Sequence, residues 1–98
     1  MSLPVVLRPE AIRDAEEARD YLEAEHLGLG EDFLNRLDES LARLSEMPEM
    51  YGLVGRNVRA ARLRRFTYVV YFRVHSDRIE VIAILHGRRD PSVWQSRV

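Results

Sequence analysis

Residues 68–86, YVVYFRVHSDRIEVIAILH, decide the fold. Tyr68, Val70, Phe72 and Val74 fall on one side of an alternating pattern and Val69, Tyr71 and Arg73 on the other, the period-two signature of a β-strand. HSD (75–77) is long enough only for a tight turn, so 78–86 returns as a second strand and the two make a hairpin. In that second strand Ile79, Val81, Ala83 and Leu85 alternate with Glu80, Ile82, Ile84 and His86. Both faces are apolar, which predicts a central strand covered on each side.

Upstream, Val58–Arg65 (VRAARLRR) reads as a third strand, and on a strand Arg62 and Arg64 leave the same face as one positive patch. Before PEMYGLVGRN (48–57), which reads as a loop, the period is that of a helix. Ile12, Ala15, Ala18 and Leu22 recur at helical spacing over 10–26, behind Pro9 at a first helical position, with Glu10 and Asp14 near the positive end of the dipole. GLG (28–30) breaks this helix. Phe33, Leu37, Leu41 and Leu44, with Leu34 alongside, mark a second one that Pro48 ends, with Asp32→Arg36 and Glu39→Arg43 in the favourable i,i+4 order. Residues 10–47 are therefore an αα-hairpin. PVVLR (4–8) is a short strand that must join the sheet, most simply beside one of the C-terminal three. GRRDPSVWQSRV (87–98) is a turn and tail in which Trp94 folds back as an anchor. The order β-α-α-β-β-β is that of an α+β protein: a helical hairpin on one face of a small antiparallel sheet, with residues 1–98 as one domain.

Composition narrows the function. A chain of 98 residues with 46% hydrophobic residues can fold, which excludes wholesale disorder. Zero cysteine excludes disulfide frameworks, thiol nucleophiles and cysteine zinc sites. No signal peptide opens the chain, and no apolar run approaches the roughly 20 residues of a membrane span. A cytoplasmic protein with no membrane partner is expected. Charge is unevenly placed: residues 1–50 hold 13 of the 16 acids and 5 of the 15 bases, and residues 51–98 hold the remaining 3 acids and 10 bases. Every base is Arg, through codon usage or because planar guanidinium groups suit carboxylate and phosphate. A domain this small is marginally stable alone, so a partner can contribute much of its working stability.

Arg56, Arg59, Arg62, Arg64 and Arg65, then Arg73, Arg78, Arg88 and Arg89, offer an RNA phosphate site, a docking surface for an acidic segment, or a solvated face balanced by the acidic helices. Arginine holds charge but cannot act as a general base. Among titratable groups, His26 reads as a helix cap, His75 as exposed in the hairpin turn, and His86 as a rim residue, either merely hydrogen-bonded or part of a site. Tyr68 and Tyr71 read as packing residues. The three histidines are too scattered for a metal site, and no phosphate loop or serine elbow is present, so no cofactor is expected.

VRAARLRRFTYVVYFRV, RIEVIAIL and above all HGRRDPSVW resemble the RelE/ParE superfamily, the toxins of bacterial type II toxin–antitoxin (plasmid stabilisation) modules, from about Val5 to Trp94. The resemblance implies the fold just derived and an antitoxin partner encoded beside the toxin, in a heterotetramer or with the free toxin as a homodimer. It also implies one of two activities. RelE-like members are ribosome-dependent mRNA endoribonucleases, and there Arg62 and Arg64 match a charge-stabilising pair and Arg89 a basic residue after the last strand. His86 or Tyr68 would then supply the acid–base step. The third-strand Arg of that branch falls on Tyr68 here, and its C-terminal Tyr has no match, Trp94 being the nearest aromatic. ParE-like members inhibit DNA gyrase without cutting nucleic acid. For that branch the target contacts expected here are Arg88, Arg89 and Trp94, with the antitoxin on Arg62, Arg64 and Arg73. A pI of 6.3 and an acidic helical half suit work inside the phosphate-dense ribosome poorly, so the ParE-like reading is favoured. An inactive homologue kept as a binding module is the third alternative.

Overall fold

The computed structural model describes residues 2–98. In chain order they form β1 (Val5–Leu7), α1 (Pro9–Glu25), α2 (Leu29–Glu46), a 3-10 turn (Pro48–Met50), β2 (Leu53–Gly55), β3 (Val58–Arg62), β4 (Tyr68–Val74), β5 (Ile79–His86) and α3 (Ser92–Gln95). The strands make one sheet in the order β1-β5-β4-β3-β2, with both long helices on one face. The α+β order read from the sequence holds, and β5 is interior as its two apolar faces require. The sheet is mixed rather than wholly antiparallel: β1 runs parallel to β5, with Val5 opposite Ile79 and Leu7 opposite Val81. A fifth strand, β2, lies within the expected loop. Its residues are exposed on both faces, so no alternation of burial marks it, and Arg56 and Asn57 at φ 54° and 62° close its two-residue hairpin onto β3.

The helical hairpin is held by close approach. Ala11, Ala15 and Ala18 are the buried residues of α1, small enough to bring that helix down onto β5. A Cβ at Gly30 would stand 2.7 Å from the Arg19 carbonyl oxygen, so glycine sets the distance between the helices. The Glu23 carboxylate fixes the turn, accepting from the backbone N–H groups of Gly28 at 2.9 Å and Gly30 at 3.0 Å, and these bonds hold its pKa low. His26 caps α1 through its backbone: its N–H reaches the Leu22 carbonyl at 3.0 Å, while its ring lies against the carbonyl of Leu27. On α2, Phe33, Leu37 and Leu44 are buried as the stripe predicts, but Arg36 pairs with Glu39 at 3.0 Å and not with Asp32.

The alternation expected in β5 breaks once. Tyr71 faces Ala83 and Phe72 faces Val81, which leaves Ile82 as an inserted bulge residue. Ile79 and Val81 face the helices, the bulge inverts the phase, and Ile84 then joins them, while Ile82, Ala83 and Leu85 pack on the opposite face. That second face is covered by the C-terminal segment. Trp94 is buried there and stacks on Tyr71 at 5.3 Å between centroids, the anchor the sequence suggests.

β1 stops at Leu7, where the chain turns into α1, so β5 beyond Val81 has no strand on that side. Side chains take its place. Asp14 accepts the Ile84 N–H at 3.0 Å, and Arg97 donates to the Ile82 carbonyl at 3.1 Å while gripping both oxygens of Asp14 at 2.6 and 3.2 Å. The Asp14 side chain is 9% exposed and that of Arg97 18%. His75, expected to be exposed, is half-buried and meets Glu80 at 2.9 Å, and Arg8 binds the other Glu80 oxygen at 2.7 Å.

Candidate functional site

β3 ends at Arg62, earlier than the sequence suggests. Leu63 turns inward, its N–H closing onto the Tyr68 carbonyl at 3.0 Å, and Arg64 and Arg65 lie in the following turn, with Arg65 at φ 70°. Arg62 and Arg64 therefore do not leave one strand face as a pair. The same turn adjoins the end of β5, because the Gly87 N–H donates to the Thr67 carbonyl. Arg62, Arg64, Arg65, Arg88 and Arg89 gather at this one end of the sheet, all exposed, and none pairs with a carboxylate among the described residues. The end of the sheet is a cationic rim.

The other arginine expected at the site lies elsewhere. Arg73 sits near the opposite end of β4, where its guanidinium donates twice to the Arg56 carbonyl at 3.2 and 2.7 Å and braces the β2–β3 turn. Trp94 is 4% exposed, so its ring holds the tail against the sheet rather than standing free for a partner. Of the residues assigned to target contact, Arg88 and Arg89 are free.

His86 stands at the rim in a fixed tautomer. The Arg88 backbone N–H can only donate, so His86 Nδ1 accepts it at 3.1 Å, and the ring proton lies on Nε2, donated to Thr67 Oγ1 at 2.8 Å. Tyr68 meets the imidazole edge to face at 5.4 Å, and burial raises the Tyr68 pKa. Burial also raises Tyr71, against a smaller opposing effect of Arg62. The rim thus concentrates positive charge, while its imidazole nitrogens are both engaged and its phenols are held protonated. Beside it, between α1 and the end of β5, a cleft of about 180 Å³ is lined by Asp14, Tyr21, Tyr68, His86 and Arg89, among others.

The family model for the ParE toxin of the type II toxin–antitoxin system parDE matches residues 5–91. The chain belongs to the ParE toxin family. It is a type II toxin by that membership. No curated protein matches it. Among solved structures, the chromosomal ParDE toxin–antitoxin system from P. aeruginosa shares the fold at a TM-score of 0.71 and 19% identity, over 87% of this chain and 96% of that one. The toxin–antitoxin system implies an antitoxin partner for this ParE-family toxin. No helix among its described residues is long and apolar enough to cross a membrane.

In this ParE toxin the sequence reading missed Asp14, Arg97 and Thr67. Asp14 and Arg97 lie 83 positions apart, and Asp14 has an ordinary place in the first turns of a helix, so nothing local marks the pair. Thr67 carries a signal only after His86 is placed beside it, opposite Tyr68.

Proposed function

We propose that this protein inhibits DNA gyrase by protein contact in the cytoplasm and is neutralised by its antitoxin. The observation that carries this reading is the rim's chemistry. Arg62, Arg64, Arg65, Arg88 and Arg89 present charge to a partner, whereas His86, the group best placed to move a proton, has both nitrogens committed to Thr67 and Arg88. For His86 to serve as a base in RNA cleavage, Nδ1 would have to give up the Arg88 N–H. Arginine stabilises developing charge but accepts no proton at neutral pH. Membership of the ParE family supports the same reading, as does the acidic face of the helices, which a polyphosphate surface repels. The test is a supercoiling assay with purified toxin and gyrase at stoichiometric ratio. Inhibition, relieved by added antitoxin, is expected. Unchanged supercoiling together with message cleavage on stalled ribosomes would overturn the reading.

A further inference from the structure

The helix-free face of the sheet is only partly covered. Trp94 and the tail pack over Val58, Ile82, Ala83 and Leu85. Their cover reaches as far as Gly55, where an added Cβ would stand 4.0 Å from the Trp94 ring. Past that ring a trough of about 280 Å³ lies open between β2 and Gly87. Ala60 is opposite Tyr71 and Arg62 opposite Val69, so these four side chains share the face and line the trough.

Its outer wall comes from a bulge. Leu53 lies opposite Arg59 and Gly55 opposite Val58, which leaves Val54 as an extra residue in β2. A regular strand sends successive side chains to opposite faces, yet Leu53 and Val54 both border the trough, 58% and 46% exposed. Free edge strands are commonly blunted by charge. This one sets two apolar side chains around a single cavity.

No acidic side chain lines the trough, and Arg62 has no carboxylate partner among the described residues. Arg62 stands close enough to the Tyr71 phenol to act on its ionisation, so a guanidinium and a hydroxyl donor meet beside the apolar wall. The volume falls below the roughly 300–1,000 Å³ of small-molecule sites and suits one or two side chains of a protein. The trough also runs into the cationic rim: Arg62 belongs to both, and Gly87 precedes Arg88. Exposed arginines steer a partner and are screened by salt, whereas a desolvated apolar anchor carries most of the affinity. Trough and rim together have the make-up of one interface, with an apolar centre and a charged border.

We propose that this trough seats an apolar side chain and an adjoining carboxylate of the toxin's protein target, with Leu53, Val54 and Tyr71 around the side chain and Arg62 on the carboxylate. This rests on the gyrase reading and gives it an anchor in place of the buried Trp94. The test is the supercoiling assay with full-length variants. Leu53→Glu puts a carboxylate into the apolar wall and Arg62→Glu reverses the charge at its end. Each should raise the toxin concentration needed for half-inhibition roughly tenfold or more. Leu27→Glu, at a side chain 87% exposed between the helices, should inhibit like the wild type. Unchanged melting midpoints and unchanged emission from Trp94, the single tryptophan, will show that the trough variants keep the packed sheet. Full inhibition by both trough variants overturns the trough and leaves the gyrase reading standing. Full inhibition with weakened antitoxin binding assigns the trough to the antitoxin, and a wild-type dimer that Leu53→Glu dissociates without loss of inhibition assigns it to a second copy. Either result overturns the target as its occupant. Wild-type toxin without effect on supercoiling overturns the gyrase reading and the anchor with it.

Discussion

Asp14 illustrates how much a single side chain carries when a strand ends early. Its carboxylate replaces a neighbouring strand for the Ile84 N–H and balances Arg97, and both side chains are largely out of water. Asp14→Ala leaves a buried guanidinium and an orphaned amide, so a loss of about 3–5 kcal/mol is expected in urea unfolding. Replacing the pair together, as in Asp14→Leu with Arg97→Met, should be less damaging than the single change, because the uncompensated charge disappears. Glu80 allows a prediction about acid stability. Burial pushes its pKa up, but the hydrogen bonds from His75 and Arg8 outweigh this and the net shift is downward. A carboxylate depressed in the folded state stabilises at pH values above its unfolded pKa of about 4.3, and the contribution is lost as pH falls through the lower folded value. Glu80→Gln should therefore cost about 1–2 kcal/mol at pH 7 and flatten the acid limb of the stability curve, with the two proteins converging below the folded pKa. Parallel limbs in a pH series of thermal melts would contradict this.

At the scale of elements, two contacts set the architecture. Gly30 governs how closely α2 lies on α1, and Gly30→Ala drives a Cβ to within 2.7 Å of the Arg19 carbonyl, backbone that cannot rotate away. A loss of about 1–3 kcal/mol is expected from the forced separation, measurable by denaturant titration. Trp94 seals the second face of the sheet. Trp94→Ala should cost about 3–5 kcal/mol and make residues 91–98 the first site of limited proteolysis. How far such elements were readable in the sequence depended on periodicity. The bounds of the αα-hairpin and of β4 are legible to within a few residues, but the stripe on α1 starts one residue late: Ala11 is buried and Ile12 is exposed. The β5 bulge was not legible, because VIAIL is apolar at every position and either phase fits the pattern. β2 escaped because three exposed residues leave no trace of burial. Arg64 was placed on a strand because arginines carry no period of their own; Leu63, the one apolar residue among them, turns inward to close onto Tyr68 and ends the strand. At the candidate site Arg88, Arg89 and His86 are legible from their place at the end of the last strand, whereas the partners that fix His86, Thr67 and the Arg88 backbone, come from chain folding.

Over the whole molecule a net charge of −1 conceals a strong separation of charge. Acidic residues such as Glu16, Glu17, Glu31, Asp32, Asp38 and Glu39 lie exposed on the helical hairpin, and the free arginines crowd one end of the sheet. Such a molecule docks in one orientation and repels polyanions on its helical side, which favours a protein partner with an acidic segment over a nucleic acid. Size adds a second consequence. A chain of 98 residues buries a modest fraction of its unfolded surface, so its stability alone is small and a bound partner contributes visibly. An antitoxin that binds only the folded toxin, at about 100 times its Kd, adds about 2.7 kcal/mol by mass action. For a domain of this length each kcal/mol moves the melting midpoint by roughly 4–8 °C, so the complex should melt about 10–20 °C above the free toxin. A contact that is charge-assisted at the rim predicts that raising the ionic strength shrinks that gap more than it shifts the free toxin's own midpoint. Scanning calorimetry of toxin with and without antitoxin at two salt concentrations measures both effects. A midpoint unmoved by antitoxin in that excess would contradict neutralisation by binding to the folded toxin.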